Sequence, residues 1–260
     1  MQRSFLNFSV GEKRMKHRKR ALWVILLSTA LLVLGFGLYV SDFYRATDAA
    51  LACLDEGDGT RVRSVEGTLC IETPGTTDAL AFYPGGKVQP EAYMPLMRHI
   101  ARDGVDCYLV KMPFNLAVFG VNRVEGVMAA HPHDRWLLAG HSLGGAMAAL
   151  WAAEHPGRLH GLALLAAYPT KPLPEDLQVL VLYGSEDGVL NRNKLEKSSP
   201  LLPPNAVVRQ LPGGNHAYFG SYGEQKGDGV ATITPEAQWE LTAEWISTMF
   251  NGDLSRDEGS

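Results

Sequence analysis

Ala139-Gly140-His141-Ser142-Leu143-Gly144-Gly145 joins the predicted strand Arg135–Ala139 to the predicted helix Leu143–Glu154. The fold class turns on this junction. Gly-x-Ser-x-Gly between a strand and a helix puts the serine on a strained turn where neighbouring side chains would collide. Gly140 and Gly144 remove those collisions, and Gly145 lets the helix approach the sheet. Ser142 is thereby presented at a helix N-terminus, where partial positive charge favours a developing anion. The plainer reading is an N-capping serine in a glycine-rich turn. Strand, helix and Gly145 together favour a nucleophile. His141 is adjacent in sequence but faces elsewhere on such a turn, so it is not taken as the base.

Outward from this junction, short apolar runs alternate with longer amphipathic ones. Strands are predicted at Val62–Val65, Leu69–Glu72, Ala79–Tyr83, Val105–Lys111, Arg135–Ala139, Gly161–Leu165, Val179–Tyr183 and Val207–Leu211. Helices are predicted near Glu91–Asp103, Asn122–Ala130, Leu143–Glu154, Asn191–Lys197 and Pro235–Phe250. Strands separated by helices of this length form right-handed crossovers and a mostly parallel sheet. Continuous apolar strands without clean alternation fit a sheet covered on both faces. The fold class is α/β, doubly wound, and ligands in such folds bind beyond the carboxyl ends of the strands.

Three further strand ends carry chemistry. Leu180-Val181-Leu182-Tyr183-Gly184-Ser185-Glu186-Asp187-Gly188 is a strand entering a polar turn. Asp187 there is placed to accept the Nδ1–H of a histidine and fix its tautomer, with Glu186 the nearest competitor. Leu211-Pro212-Gly213-Gly214-Asn215-His216 follows the last strand, and His216 is the only histidine after His160. It is the expected general base toward the Ser142 hydroxyl. Phe82-Tyr83-Pro84-Gly85-Gly86-Lys87 follows the strand at Ala79. Acyl transfer needs two backbone N–H groups aimed at the incipient oxyanion. Leu143, after the nucleophile, and Gly86, in this loop, are the expected donors. His131 and His133 flank Pro132 without an evident third ligand, so no metal or other cofactor is expected.

The whole 260-residue chain has a net charge of −4, but the charge is unevenly distributed. Residues 1–20 hold seven basic residues against Glu12, a net +6, while the other 240 carry −10. An acidic body argues against nucleic-acid binding. The basic head ends where 21–40 begins, twenty residues without a charge, long enough for a transmembrane helix. The run exceeds a signal-peptide core, and Ser41-Asp42-Phe43-Tyr44-Arg45 offers no small-x-small cleavage site, so an uncleaved anchor is expected. Basic residues stay cytoplasmic, which puts the N-terminus inside and the catalytic domain outside. Cys53 and Cys70 would then meet an oxidising compartment in which a disulfide is as plausible as two thiols. Cys107 reads as a buried thiol. The expected organisation is a basic flank over 1–20, the span over 21–40, a tether over 41–60 with a turn at Asp55-Glu56-Gly57-Asp58-Gly59, a catalytic domain over 61–250 and a flexible tail over 251–260.

With these stations in place the chain resembles the α/β-hydrolase family, most closely the compact membrane-anchored branch of the dienelactone-hydrolase-like group. The resemblance covers roughly residues 62–250. It rests on Pro84-Gly85-Gly86 with Pro90-Glu91-Ala92-Tyr93, on Gly140-His141-Ser142-Leu143-Gly144-Gly145, on Gly184-Ser185-x-Asp187-Gly188 and on Gly214-Asn215-His216. It implies the α/β-hydrolase fold, with these positions as oxyanion loop, nucleophile elbow, acid and base. Where the family often carries His-Gly in the oxyanion loop, this chain has Pro84-Gly85. Many such hydrolases insert a cap between the sixth and seventh strands. Here only 166–177 is available, too short for a helical lid, so the site is expected to be open. Phe114, Tyr218 and Phe219 are expected to border it.

Three functions stand as expectations. The first is a serine hydrolase that cleaves a small-molecule or lipid carboxylic ester through an acyl-enzyme. The second transfers the acyl group to an alcohol or lipid acceptor, which a membrane tether would bring close. The third is a catalytically inactive fold used as a binding module, which the retained Ser142, Asp187 and His216 disfavour. The sequence leaves substrate and oligomeric state open.

Overall fold

A computed structural model of the chain describes residues 2–55, 61–65, 67–73 and 75–252, with residues 2–18 and Arg61 described in backbone only. Most of the expected turn at 55–59 and of the tail at 251–260 lies outside the described residues. The chain divides into two compact units, Met1–Asp42 and Phe43–Ser260.

The first unit is one helix, α1 (Gln2–Ser41). Its portion Lys19–Ser41 has a mean hydropathy of 2.4, and none of it is buried. At 1.5 Å per residue it extends about 34 Å, enough to cross a hydrocarbon core. A signal sequence near the N-terminus can also be an apolar helix, so the portion Lys19–Ser41 fits either role.

The second unit holds an eight-stranded sheet. Its strands are β1 (Arg61–Val65), β2 (Thr68–Glu72), β3 (Asp78–Tyr83), β4 (Asp106–Val110), β5 (Arg135–His141), β6 (Gly161–Leu165), β7 (Gln178–Gly184) and β8 (Val207–Leu211). Their order is β1-β2-β4-β3-β5-β6-β7-β8. The pairings β1/β2 and β2/β4 are antiparallel and the rest are parallel. All eight predicted strands are present. The helices are α2 (Asp48–Ala52), α3 (Met94–Arg102), α4 (Arg123–Ala130), α5 (Leu143–Glu154), α6 (Arg192–Lys197) and α7 (Pro235–Asn251).

Side-chain alternation shows why the strands read as unbroken apolar runs. Leu80, Phe82, Leu137, Ala139, Leu180 and Leu182 face one layer with Ile100, Trp239 and Ile246 of α3 and α7. Ala79, Ala81, Leu138, Leu162, Val179 and Val181 face the other, with Val124 of α4 and Trp151 of α5. Both faces are covered over the inner strands, so their central positions are apolar on both sides. Each fully buried Leu or Val contributes roughly 1.5–3 kcal/mol of transfer free energy.

The helix ends follow local chemistry. Asn191 accepts from the Lys194 amide at 3.0 Å to start α6. Thr234 accepts from the Ala237 amide at 3.2 Å ahead of Pro235, and Gly252 closes α7 in a left-handed conformation with φ of 72°.

Where it is described, the segment expected as a tether packs on the domain from Phe43 onward. The Tyr44 amide donates to the Lys87 carbonyl at 2.8 Å, and the Gln89 amide returns to the Tyr44 carbonyl at 2.8 Å. Thr47 bonds Ser221 through both its amide (2.9 Å) and its hydroxyl (2.7 Å), and it caps α2. Arg98 donates to the Cys53 and Asp55 carbonyls. The strap holds a single helix of five residues, too short to give a periodic signal. Cys53, Cys70 and Cys107 are all thiols. Burial pushes the Cys70 thiol up to about 11 and the Cys107 thiol well above its ordinary value, so both are packing residues.

Candidate active site

Because β3 and β5 through β8 are parallel, their carboxyl ends lie together. The ladders pair Tyr83 with Gly140, His141 with Leu165 and Gly184 with Leu211. The loops that leave these ends carry Gly86, Ser142, Ala166, Asp187 and His216. A cavity of about 430 Å³ opens here, with Ser142, Leu143 and His216 in its wall. Two hollows of about 600 Å³ each lie at the amino ends of the strands and contain none of these residues. Strand polarity, rather than size, selects the smaller one.

Ser142 has φ of 52° and ψ of −121°, a conformation that costs a non-glycine residue about 1–3 kcal/mol. The turn is so tight that a Cβ on Gly144 would lie 2.2 Å from the Tyr83 carbonyl oxygen and 2.3 Å from that of Pro84. A Cβ on Gly140 would meet the Gly144–Gly145 backbone at 2.7 Å. The glycines are therefore required by close backbone approach. The Ser142 amide is anchored to the Leu165 carbonyl at 2.9 Å, while its hydroxyl has no hydrogen-bond partner among the described residues. Such a serine–histidine contact commonly closes only with substrate bound.

His216 Nδ1 stands 2.9 Å from Asp187 Oδ2, and both residues are buried. The other carboxylate oxygen accepts the Val189 and Leu190 amides at 2.9 and 2.7 Å. Those bonds fix the carboxylate plane and leave Oδ2 for the imidazole. The competitor Glu186 is exposed and accepts from the Ser185 hydroxyl at 2.8 Å instead.

In the loop after β3, three of four amides are engaged. Gly85 donates to the Tyr93 hydroxyl at 3.0 Å, Lys87 to the Asn115 carbonyl at 2.8 Å and Val88 to the Gly85 carbonyl at 3.3 Å. The Gly86 and Leu143 amides have no acceptor among the described residues. A Cβ on Gly86 would lie 2.8 Å from Leu143 Cδ2, so this loop and the Ser142 turn meet where both unengaged amides lie.

His141 does not face away from the site. Its ring lies 4.4 Å from that of His216, centroid to centroid, and Phe219 backs it at 5.5 Å. Its Nδ1 meets the Tyr93 hydroxyl at 2.8 Å, so it is tied to the oxyanion loop and is not placed as the base. Burial, reinforced by the charge on His216, holds its pKa well below the ordinary imidazole value. The unfolded chain protonates this histidine near pH 6.5. The folded chain resists to a much lower pH, so the unfolded state binds more protons between the two. Stability conferred by neutral His141 is complete above pH 6.5 and falls as pH drops through that window, by up to about 1.4 kcal/mol per pH unit. Urea unfolding at pH 7, 6 and 5 should show that fall, and His141→Gln should flatten it.

The three aromatic residues expected at the site do not line the cavity. Phe219 is fully buried because the turn Ala217–Phe219 folds it onto His141 and the core. Tyr218 is half-buried against the same core. Phe114 is 54% exposed. The wall is formed instead by Ala146, Met147, Ala166, Ala167, Val189 and Leu190, with Tyr168, Thr170 and Asn191. The loop 166–177 contains no helix, as expected for a capless site.

Two bracing residues escaped the sequence reading. Asp228 accepts four backbone amides: Gly188 (3.0 Å), His216 (3.3 Å), Ala217 (2.8 Å) and Gly229 (2.9 Å). It thereby clamps the acid loop to the base loop. Fully buried Gln238 accepts the Asn215 amide at 3.0 Å and donates to the Asn215 carbonyl at 2.9 Å. Asp228 sits in a Gly-Asp-Gly turn that reads as ordinary loop, so no local signal pointed to it. Among the described residues no group of three or more His, Cys, Asp or Glu side chains could hold a metal ion.

A sheet of this order, with the strained Ser142 turn at the end of β5, defines a hydrolase-fold protein. Residues 79–240 match the alpha/beta hydrolase family, and the chain belongs to that family. Its fold is similar to a dienelactone hydrolase from Anabaena variabilis, with 15% identity, 74% of this chain and 99% of that one covered, and a TM-score of 0.54. Est1E from Butyrivibrio proteoclasticus aligns at 15% identity over 76% of this chain and 100% of its own, with a TM-score of 0.54. A carboxylesterase from Bacillus subtilis aligns at 10% identity over 80% and 96%, again with a TM-score of 0.54. No curated protein sequence matches the chain.

Proposed function

We propose that the protein is a serine hydrolase of carboxylic esters, anchored by Lys19–Ser41 with its N-terminus cytoplasmic and its catalytic domain on the opposite side. The observation that carries the reading is the buried Asp187–His216 pair, at 2.9 Å, beside a cavity shared by His216 and the strained Ser142. His216 takes the Ser142 proton as Oγ attacks the ester carbonyl, and the carbonyl oxygen becomes an oxyanion facing the Gly86 and Leu143 amides. Collapse breaks the carbon–alkoxy bond, the leaving alkoxide takes the proton from His216, and the acyl group stays on Ser142. Water then adds, giving one proton to His216, and Oγ recovers it as the carboxylic acid leaves.

The test is labelling with a fluorophosphonate probe. Folded wild-type protein should be labelled and Ser142→Ala should not. Unlabelled wild type, folded by circular dichroism, would sink the reading. With label established, product analysis with and without an alcohol acceptor separates hydrolysis from acyl transfer.

The clamp gives a further expected result. Asp228→Ala leaves the Gly188, His216 and Ala217 amides without an acceptor and lets the base loop drift. A displacement of about 1 Å costs on the order of 10²-fold in kcat. KM should change little, and Asp228→Asn, which keeps one acceptor oxygen, should recover part of the loss. Steady-state kinetics on the three proteins checks this.

A further inference from the structure

The two amides open to an oxyanion come from different loops, Gly86 after β3 and Leu143 after β5. Buried side chains join those loops. Tyr93 closes the short turn Pro90–Tyr93, and His141 directly precedes Ser142; both are buried. The Tyr93 hydroxyl accepts the Gly85 amide at 3.0 Å and meets His141 Nδ1 at 2.8 Å. A phenol has one proton to give. If Nδ1 carried a hydrogen too, the Tyr93 proton would be buried with no acceptor among the described residues. The proton therefore goes to Nδ1, and the chain of donors runs from the Gly85 amide through the Tyr93 hydroxyl to His141. Burial pushes the phenol above its ordinary pKa and the imidazole well below, so Tyr93 keeps its proton and Nδ1 its lone pair.

The Gly85 end of this chain bears on the Gly86 donor. The Gly85 carbonyl and the Gly86 amide share one peptide plane and, in a trans peptide, point opposite ways. The carbonyl accepts the Val88 amide at 3.3 Å, a long bond that alone holds the plane loosely. Tyr93 fixes the other side of Gly85 through its amide. The approach is close: a Cβ on Gly85 would stand 2.7 Å from the Tyr93 oxygen and 2.9 Å from His141 Nδ1. The Tyr93 ring is itself packed, with Phe82 at 4.9 Å and Tyr222 at 6.4 Å between centroids. His141 Nε2 is buried with no hydrogen-bond partner among the described residues, so Nδ1 is the ring's one polar tie.

We infer that Tyr93 is a positioning residue for the oxyanion site, holding the Gly86 amide in register with the Leu143 amide through Gly85, while His141 orients its hydroxyl. This role rests on the ester-hydrolase function proposed for Ser142, Asp187 and His216. The oxyanion forms only as Ser142 attacks, so a misplaced donor costs kcat and leaves KM nearly unchanged.

The experiment uses the full chain in detergent with p-nitrophenyl butyrate, and each rate is divided by the concentration of sites a fluorophosphonate labels at completion. Tyr93→Phe keeps the ring and leaves the Gly85 amide without an acceptor. It should lower kcat by about 10–100-fold with KM within about threefold, and His141→Leu should do the same. His141→Asn, whose amide oxygen can take the place of Nδ1, should be at least about fivefold faster than His141→Leu. Both residues act through one hydroxyl, so the double variant Tyr93→Phe/His141→Leu should be no slower than the slower single one. A trifluoromethyl ketone, which forms a tetrahedral oxyanion on Ser142, should bind each variant more weakly by the factor lost in kcat/KM. Lost packing alone would lower the labelled fraction and spare the values per site. Single variants within about threefold of wild type in kcat, a loss confined to KM, ketone affinity that does not follow kcat/KM, additive losses in the double variant, or His141→Asn as slow as His141→Leu would each overturn the role while the hydrolase reading stands. If Tyr93→Phe yields no labelled protein, the two His141 variants decide on the same criteria. Wild-type protein that takes no label overturns both.

Discussion

Replacing His216 with alanine is expected to lower kcat for a simple ester by about 10⁴–10⁶-fold, with the protein still folded. The expectation follows from what each neighbour can do. His141 is the poorer base, because its Nδ1 is held by Tyr93 and burial pushes its pKa far below the ordinary value, which makes it a weak proton acceptor. Asp187→Asn should cost about 10⁴-fold, since an amide nitrogen facing Nδ1 favours the wrong imidazole tautomer. The single replacements act on one unit. Ser142→Ala combined with His216→Ala should therefore lose no more than either alone. Residual hydrolysis above water would come from the Gly86 and Leu143 amides and from binding. Burst-phase and steady-state kinetics measure each value, and a His216→Ala enzyme within tenfold of wild type would remove His216 from the mechanism.

The second large effect concerns stability. Gly144→Ala should destabilise the domain by about 3 kcal/mol or more, the upper end for overpacking, because its Cβ would stand 2.2 and 2.3 Å from two carbonyl oxygens of the β3 loop. Those atoms are backbone, fixed by the sheet and by the oxyanion loop, and cannot swing aside. For a domain of this size the melting temperature would fall by roughly 6–12 °C. Gly126→Ala is the matched control. It lies in α4 with nothing within 4 Å of the new Cβ, so it should stabilise by about 0.5–1 kcal/mol. The same substitution thus has opposite signs at two helical glycines, and calorimetry on the pair decides it.

Every strand and the five longer helices were legible in the sequence because a sheet covered on both faces imposes uninterrupted apolar runs. Those runs end at glycines and polar turns, so the strand ends bearing Ser142, Asp187 and His216 were legible too. What was not legible depends on contacts between residues distant in the chain. Asp228 reaches back 40 residues to the Gly188 amide, and nothing in Gly227-Asp228-Gly229 announces that. The strap from Phe43 to Asp55 is held largely by main-chain bonds to Lys87, Gln89 and Ser221, which carry no side-chain pattern. Phe219 looked like a pocket residue because it follows His216, yet its turn folds it inward.

The strap bears on how a water-soluble version of this protein should be cut. Removing the apolar helix invites a start at residue 61, where β1 begins. That boundary would delete Tyr44 and Thr47 along with the helix. The Lys87 carbonyl and Gln89 amide, next to the Gly86 donor, would lose their partners, as would Ser221 at the end of the histidine loop. A chain beginning at Phe43 keeps all of these bonds. Between the two starting points lie eighteen codons, and they separate a hydrolase fold with its oxyanion loop held in place from one with that loop let go.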